Sequence, residues 1–224
     1  MDSSAIMSQI FEEEGIDPSA ISLFAGIMVV YFVVLGIVAL ALYLLESFAL
    51  FNMAKSAGYS RPWRGFIPFA NTFLFGKIAE KYRKKDGKPS AKFGGLLLAF
   101  DIIMLVCGVV LMGFCVKFII DIFGFANMAV ETDTALTAEM FASVIPVILL
   151  SLAEVIFSIT YIVLFYVALW RIFAAYDYSN ATLFLVLSIF FTFLAPIFLF
   201  VMRKNQPVFD PRERLNAQFG IRNS

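Results

Sequence analysis

The sequence predicts an all-α integral membrane protein, a polytopic helical bundle, and three observations point that way. Of the 224 residues, 61% are hydrophobic and only 15% charged, with a mean hydropathy of +0.88, which is too apolar for a water-soluble domain. Three long runs with few or no charges can each cross a hydrocarbon core of about 30 Å, a crossing that takes about 20 helical residues. The stretches between them fall short of the roughly 50 residues a folded soluble domain usually needs.

Residues 1–20 form an acidic N-terminal segment, with Asp2, Glu12, Glu13 and Glu14. No basic n-region or small-residue cleavage site frames the apolar run that follows, so the first span is expected to stay as a non-cleaved anchor. Ile21 to Leu45 carries no charge, and the span is expected to cover about 21–50, running through Glu46 into the headgroups.

Two more spans are expected, at about 93–120 and about 141–170. The first contains Asp101 and Lys117 and the second contains Glu154. A fourth apolar segment, 182–202, is interrupted at Pro196 and can either cross once or fold back as a re-entrant hairpin. A basic tail, 203–224, closes the chain. Cys107 and Cys115, eight positions apart on one helix, would lie about 12 Å apart, beyond the roughly 7 Å reach of an unstrained disulfide.

Lysine and arginine in short loops resist translocation, whereas acidic residues count for little. The connection 52–92 holds ten basic residues, from Lys55 to Lys92, whereas Asp121 to Met140 holds none. The N-terminus is therefore expected outside, with the first connection in the cytoplasm of a multi-pass cell-membrane protein. A true fourth crossing would export Arg203, Lys204, Arg212, Arg214 and Arg222, so the charge rule favours the re-entrant form. The two helix exits echo each other weakly, through Tyr59-Ser60 after the first span and Tyr178-Ser179 after the third.

Between the first two spans, Trp63, Phe66, Ile67, Ala70, Phe73, Leu74 and Ile78 share one helical face. Pro68 would kink a helix begun at Trp63, so this reads as an in-plane interfacial helix starting near Pro68 or as a shallow re-entrant loop. The linker Lys81, Arg83, Lys84, Lys85, Lys88 and Lys92 is a candidate surface for anionic inner-leaflet lipids or a protein partner, since each basic residue there can gain about 1 kcal/mol. The plainer reading is a topology determinant.

Ionisable groups inside a span cost at least about 2.5 kcal/mol unless neutral, paired or wet, which singles out Asp101 and Glu154. Ser151, Ser158 and Tyr161 fall on the face of Glu154, a stripe that would either line a proton or solute path or make a hydrogen-bonded helix contact. Asp101, about 12 Å from the cytoplasmic edge, is expected to be hydrated there or to bond to the basic connection. Gly95, Ala99, Cys107 and Cys115 form a strip of small side chains where another helix can pack.

Lys55, Gly58, Trp63, Pro68 and Asn71 stand in an arrangement that resembles the Lys-Ala-Gly, Trp, Ile-Pro, Asn motif of small bacterial multi-pass membrane proteins of unknown function, some fused to signal-peptidase-like sequences. Here Ser56 is an extra residue and the Gly-to-Trp gap is one residue longer. The resemblance covers about a fifth of the chain. It implies a bacterial source and names no activity.

Histidine is absent, which removes the commonest general base and metal ligand. No Walker loop, dinucleotide fingerprint, nucleophile elbow or metal-spaced cysteine pair occurs, nor do the paired Asp motifs of intramembrane proteases. The expectation is no cofactor, no metal, no nucleic-acid partner and no enzymatic activity. A scaffold or accessory subunit of a membrane complex fits best, with a homo-oligomer or another membrane protein as partner. A small transporter, channel subunit or lipid-handling protein using Glu154 is the alternative, and a membrane-embedded enzyme comes third.

Overall fold

The computed structural model describes residues 18–82, 92–128, 135–210 and 213. Among these run α1 (Pro18–Ser56), a 3-10 turn (Pro62–Phe66), α2 (Ala70–Lys81), α3 (Phe93–Met128), α4 (Ala135–Tyr176), α5 (Ala181–Phe190) and α6 (Leu194–Met202). Three segments, Ser22–Ser56, Phe93–Ile120 and Val144–Tyr176, are long and apolar enough to span a membrane. The protein is an all-α polytopic membrane bundle. It divides into two units, Met1–Leu45 and Glu46–Ser224.

The first unit's described part is one helix, apolar on all sides, with Leu23, Phe32 and Ile37 exposed. Such a helix suits lipid, because every backbone polar group is satisfied internally.

The second unit gathers its buried core from the end of α1 (Ala49, Leu50, Met53), α2 (Leu74, Phe75, Ile78), the start of α3 (Phe93, Leu97), the end of α4 (Leu169, Ile172, Phe173) and the α5–α6 pair (Ala181, Leu199, Met202). Further along α3 and α4, Val109, Met112, Leu152 and Ile156 are exposed.

The helix of the first span runs through Glu46 to Ser56, past the expected limit, because its stop signal is glycine rather than the membrane edge. Gly58 has φ +75°, the Tyr59 amide donates to the Ala54 carbonyl (2.9 Å) and the Gly58 amide to Lys55 (3.0 Å). This is a Schellman cap. The chain then turns tightly into α2. Pro68 precedes the helix rather than kinking it: the Ala70 amide donates to the Pro68 carbonyl at 2.8 Å, closing a γ-turn around Phe69, whose φ is +65°. That conformation is strained for any residue with a Cβ. Phe69→Gly is therefore expected to melt higher than Phe69→Ala, by about 1–2 kcal/mol of stability, as thermal unfolding in detergent would register; equal stability would remove the strain.

α2 lies against the start of α3 at a glycine-on-glycine crossing. A Cβ built on Gly76 would stand 2.6 Å from the Gly94 Cα and N, and one on Gly94 would stand 2.9 Å from the Phe73 carbonyl oxygen. Glu80 completes the joint: one carboxylate oxygen accepts from the Gly94 amide (2.8 Å) and the other pairs with Lys77 (2.8 Å). The carboxylate thereby satisfies a free amide at the N-terminus of α3. The small-residue strip expected on α3 does not carry this approach, since a Cβ on Gly95 meets nothing within 4 Å.

The fourth apolar segment is two short helices. At 1.5 Å per residue, ten and nine residues reach only about 15 Å each, and the break falls at Phe191–Phe193 rather than at Pro196. Pro196 sits in the first turn of α6, where its missing amide costs nothing. Phe184 stacks on Phe198 (4.6 Å), and both meet Phe173 edge-on (5.9 and 6.3 Å). The chain then returns to its starting level: the Val208 amide donates to the Ala175 carbonyl (2.9 Å) and Asn205 to the Tyr176 carbonyl (3.3 Å). At the entry turn, partial burial raises the Asp177 carboxyl, but hydrogen bonds from Asn180 and Ser179 outweigh it and hold the group below its ordinary range.

A polar junction between four helices

α3 and α4 run antiparallel, and their polar residues meet in register. The Tyr161 phenol lies close enough to the Asp101 carboxyl to interact with it electrostatically, the Ser158 hydroxyl points at the Met104 sulfur (3.7 Å), and a Glu154 oxygen lies 3.5 Å from where a Gly108 Cβ would sit. Each step down one helix matches a step up the other. The expected stripe is thus divided among separate partners on α3. Glu154 fills the notch that Gly108 leaves, and Ser151 bonds to its own helix through the Val147 carbonyl (2.7 Å).

The Tyr161 phenol faces Asp101 and also lies near the Thr72 hydroxyl of α2, with Glu46 of α1 close enough to act on it electrostatically. Two carboxyl groups, a phenol and a hydroxyl from four helices therefore converge where the packed end meets the spans. Glu46 was legible in the sequence only as a residue at the edge of a span; its tie to Tyr161 depends on how the helices fold together. The phenyl rings beside the junction are stacked, Tyr161 on Phe165 (6.2 Å) and Phe165 on Phe75 (4.9 Å), which fixes the phenol's direction.

Flanking positions carry buried polar atoms without partners among the described residues, Ser47 Oγ beside Glu46 and Asn71 Oδ1 beside Thr72. Such atoms each cost about 1–3 kcal/mol when left dry. Among the described residues no group of three or more His, Cys, Asp and Glu side chains is placed to hold a metal ion.

The motif residues have separate structural duties. Gly58 caps α1, Pro68 closes the γ-turn, and Asn71 is buried at the start of α2. Trp63 is 54% exposed and Lys55 is also exposed. Of the basic linker, Lys81 donates to the Ala57 carbonyl at the end of α1 and lies over the Tyr59 ring (4.8 Å), a cation at a helix C-terminus. Lys92 is exposed, and Arg83, Lys84, Lys85 and Lys88 lie outside the described residues. Cys107 and Cys115 are free thiols.

The packed end is further pinned by Tyr176, whose hydroxyl donates to the Met53 carbonyl (2.9 Å) and lies 2.9 Å from Ser56 Oγ. No family model, curated protein or solved structure matches the chain.

Proposed function

We propose that the protein is a non-enzymatic scaffold or accessory subunit of a bacterial membrane complex, with its N-terminus outside and its packed end in the cytoplasm. The observation that carries this reading is the division of labour within the second unit. Its buried core lies where α1, α2 and the α5–α6 hairpin meet the adjoining ends of α3 and α4, while the outer parts of α3 and α4 leave large apolar side chains uncovered. Helices of this kind offer lipid-facing surface that neighbouring membrane helices can share. The orientation rests on the basic residues of the first connection and on Arg203 and Lys204, which follow the hairpin just before Asn205 bonds back to the end of α4.

A photoreactive amino acid at Val109 on α3 or Ile156 on α4 is expected to crosslink in native membranes to a membrane protein at defined positions. Crosslinks to lipid alone at every exposed position would contradict the scaffold reading.

The junction of Asp101, Tyr161, Thr72 and Glu46 favours a second reading, in which this end of the bundle passes or stores a proton. If so, vesicles holding the purified protein collapse a pH gradient faster than empty ones, and Asp101→Asn abolishes the difference. Gradient decay equal to that of empty vesicles would leave the junction with a packing role.

A further inference from the structure

The turn from α1 into α2 encloses a cleft of about 370 Å³ lined by Tyr59, Ser60, Arg61, Arg64, Phe73, Leu74 and Lys77. Its volume lies within the roughly 300–1,000 Å³ range of ligand sites. Three of its seven lining residues are cations and none is a carboxylate. Lys77 is held by Glu80 (2.8 Å), whereas neither guanidinium takes part in an ion pair among the described residues.

Tyr59 forms a fixed wall, its hydroxyl donating to the Lys77 carbonyl (2.6 Å). Burial, followed by the charge of Glu80, pushes this phenol up to about 12, so it adds no negative charge to the cleft. Between the lining residues Arg61 and Phe73 along the chain, Trp63 (54%), Ile67 (42%) and Phe69 (42%) are exposed. Tryptophan so placed settles at headgroup level, between water and hydrocarbon.

We propose that this cleft holds the phosphate of an anionic phospholipid headgroup, gripped by Arg61 and Arg64, with Ser60 donating to it and Phe73 and Leu74 against the glycerol. Guanidinium forks match phosphate oxygens in pairs, which an ammonium cannot do. Lys77, already shared with Glu80, supplies charge rather than geometry. The proposal rests on the reading that this end of the bundle lies at a membrane surface, and it is independent of whether a protein partner binds.

The test uses the full purified chain in nanodiscs of mixed phosphatidylcholine and phosphatidylglycerol, with retained lipid read by native mass spectrometry. Wild type is expected to retain phosphatidylglycerol preferentially. Arg61→Gln and Arg64→Gln should each weaken retention about tenfold, the equivalent of about 1.4 kcal/mol. Arg61→Lys should fall between, and Lys204→Gln, an exposed cation outside the cleft, should match wild type.

Because an arginine substitution can also disturb the turn, Ser60→Glu provides a second variant, placing a carboxylate at an exposed position of the cleft; it too should lose the lipid. Retention unchanged in the arginine variants and in Ser60→Glu would overturn the proposal. Inorganic phosphate displacing the lipid at millimolar concentration and binding equally well without it would overturn the lipid assignment in favour of a free-anion site. Lipid retention is measured without any partner, so a failed crosslink does not touch it, and a failed retention leaves the scaffold reading standing.

Discussion

Gly76→Ala is expected to destabilise the protein by at least about 2 kcal/mol, whereas Gly95→Ala is expected to be neutral or to stabilise it. In a helix interior, exchanging glycine for alanine ordinarily gains about 1 kcal/mol. At Gly76 that gain is overwhelmed, because the new methyl would stand 2.6 Å from the Gly94 backbone and 2.7 Å from the Phe93 carbonyl carbon. Backbone atoms at a helix N-terminus cannot swing aside as a side chain can, and overpacking of this kind costs about 1–3 kcal/mol or more. The clash would also pull Glu80 off the Gly94 amide, uncapping α3. Gly95, one residue from the crossing, has open space around it and serves as the internal control. Thermal melting in detergent measures both; similar melting temperatures for the two variants would mean that α2 does not dock on α3 as described.

Phe173→Ala is expected to release the α5–α6 hairpin. Phe173 is fully buried and touches both partners of the Phe184–Phe198 stack. Truncating a buried phenylalanine costs about 3–5 kcal/mol in water-soluble cores. Lipid is as apolar as the side chain, so at the membrane only the lost packing contacts remain, which argues for about 3 kcal/mol, near the lower end. Phe190, 76% exposed on α5, supplies the contrast: its alanine variant should be close to neutral. Protease cleavage between 177 and 208 on the intact protein follows hairpin release directly, and is expected to accelerate in Phe173→Ala alone. Equal rates in both variants would show that the aromatic cluster does not hold the hairpin.

The spans were readable because lipid imposes a local rule: about 20 apolar residues in a row, whatever their neighbours. Hydrophobicity alone ends the first span several residues early, because the stop is set by the left-handed glycine cap at Gly58 rather than by polarity. The breaker in the fourth segment was misplaced because proline disrupts only a helix interior, and Pro196 turned out to lie in a first turn. What sequence could not give were the non-local pairings. Gly94 and Gly95 look alike until α2 folds back and chooses one. Tyr161 and Glu154 share a face of α4, yet the antiparallel register delivers them to different partners on α3, Asp101 and Gly108. That register depends on how the chain joins the two helices, which no periodicity within either helix encodes.

The central claim is that the first connection and the segment after the hairpin belong to one packed end. It is tested most directly by single cysteines at Ser60 and Asn205, both exposed, in a protein whose Cys107 and Cys115 are replaced by serine. In sealed vesicles of known orientation, a membrane-impermeant maleimide is expected to reach both positions from the same side. Labelling of Ser60 from one side and Asn205 from the other would contradict it.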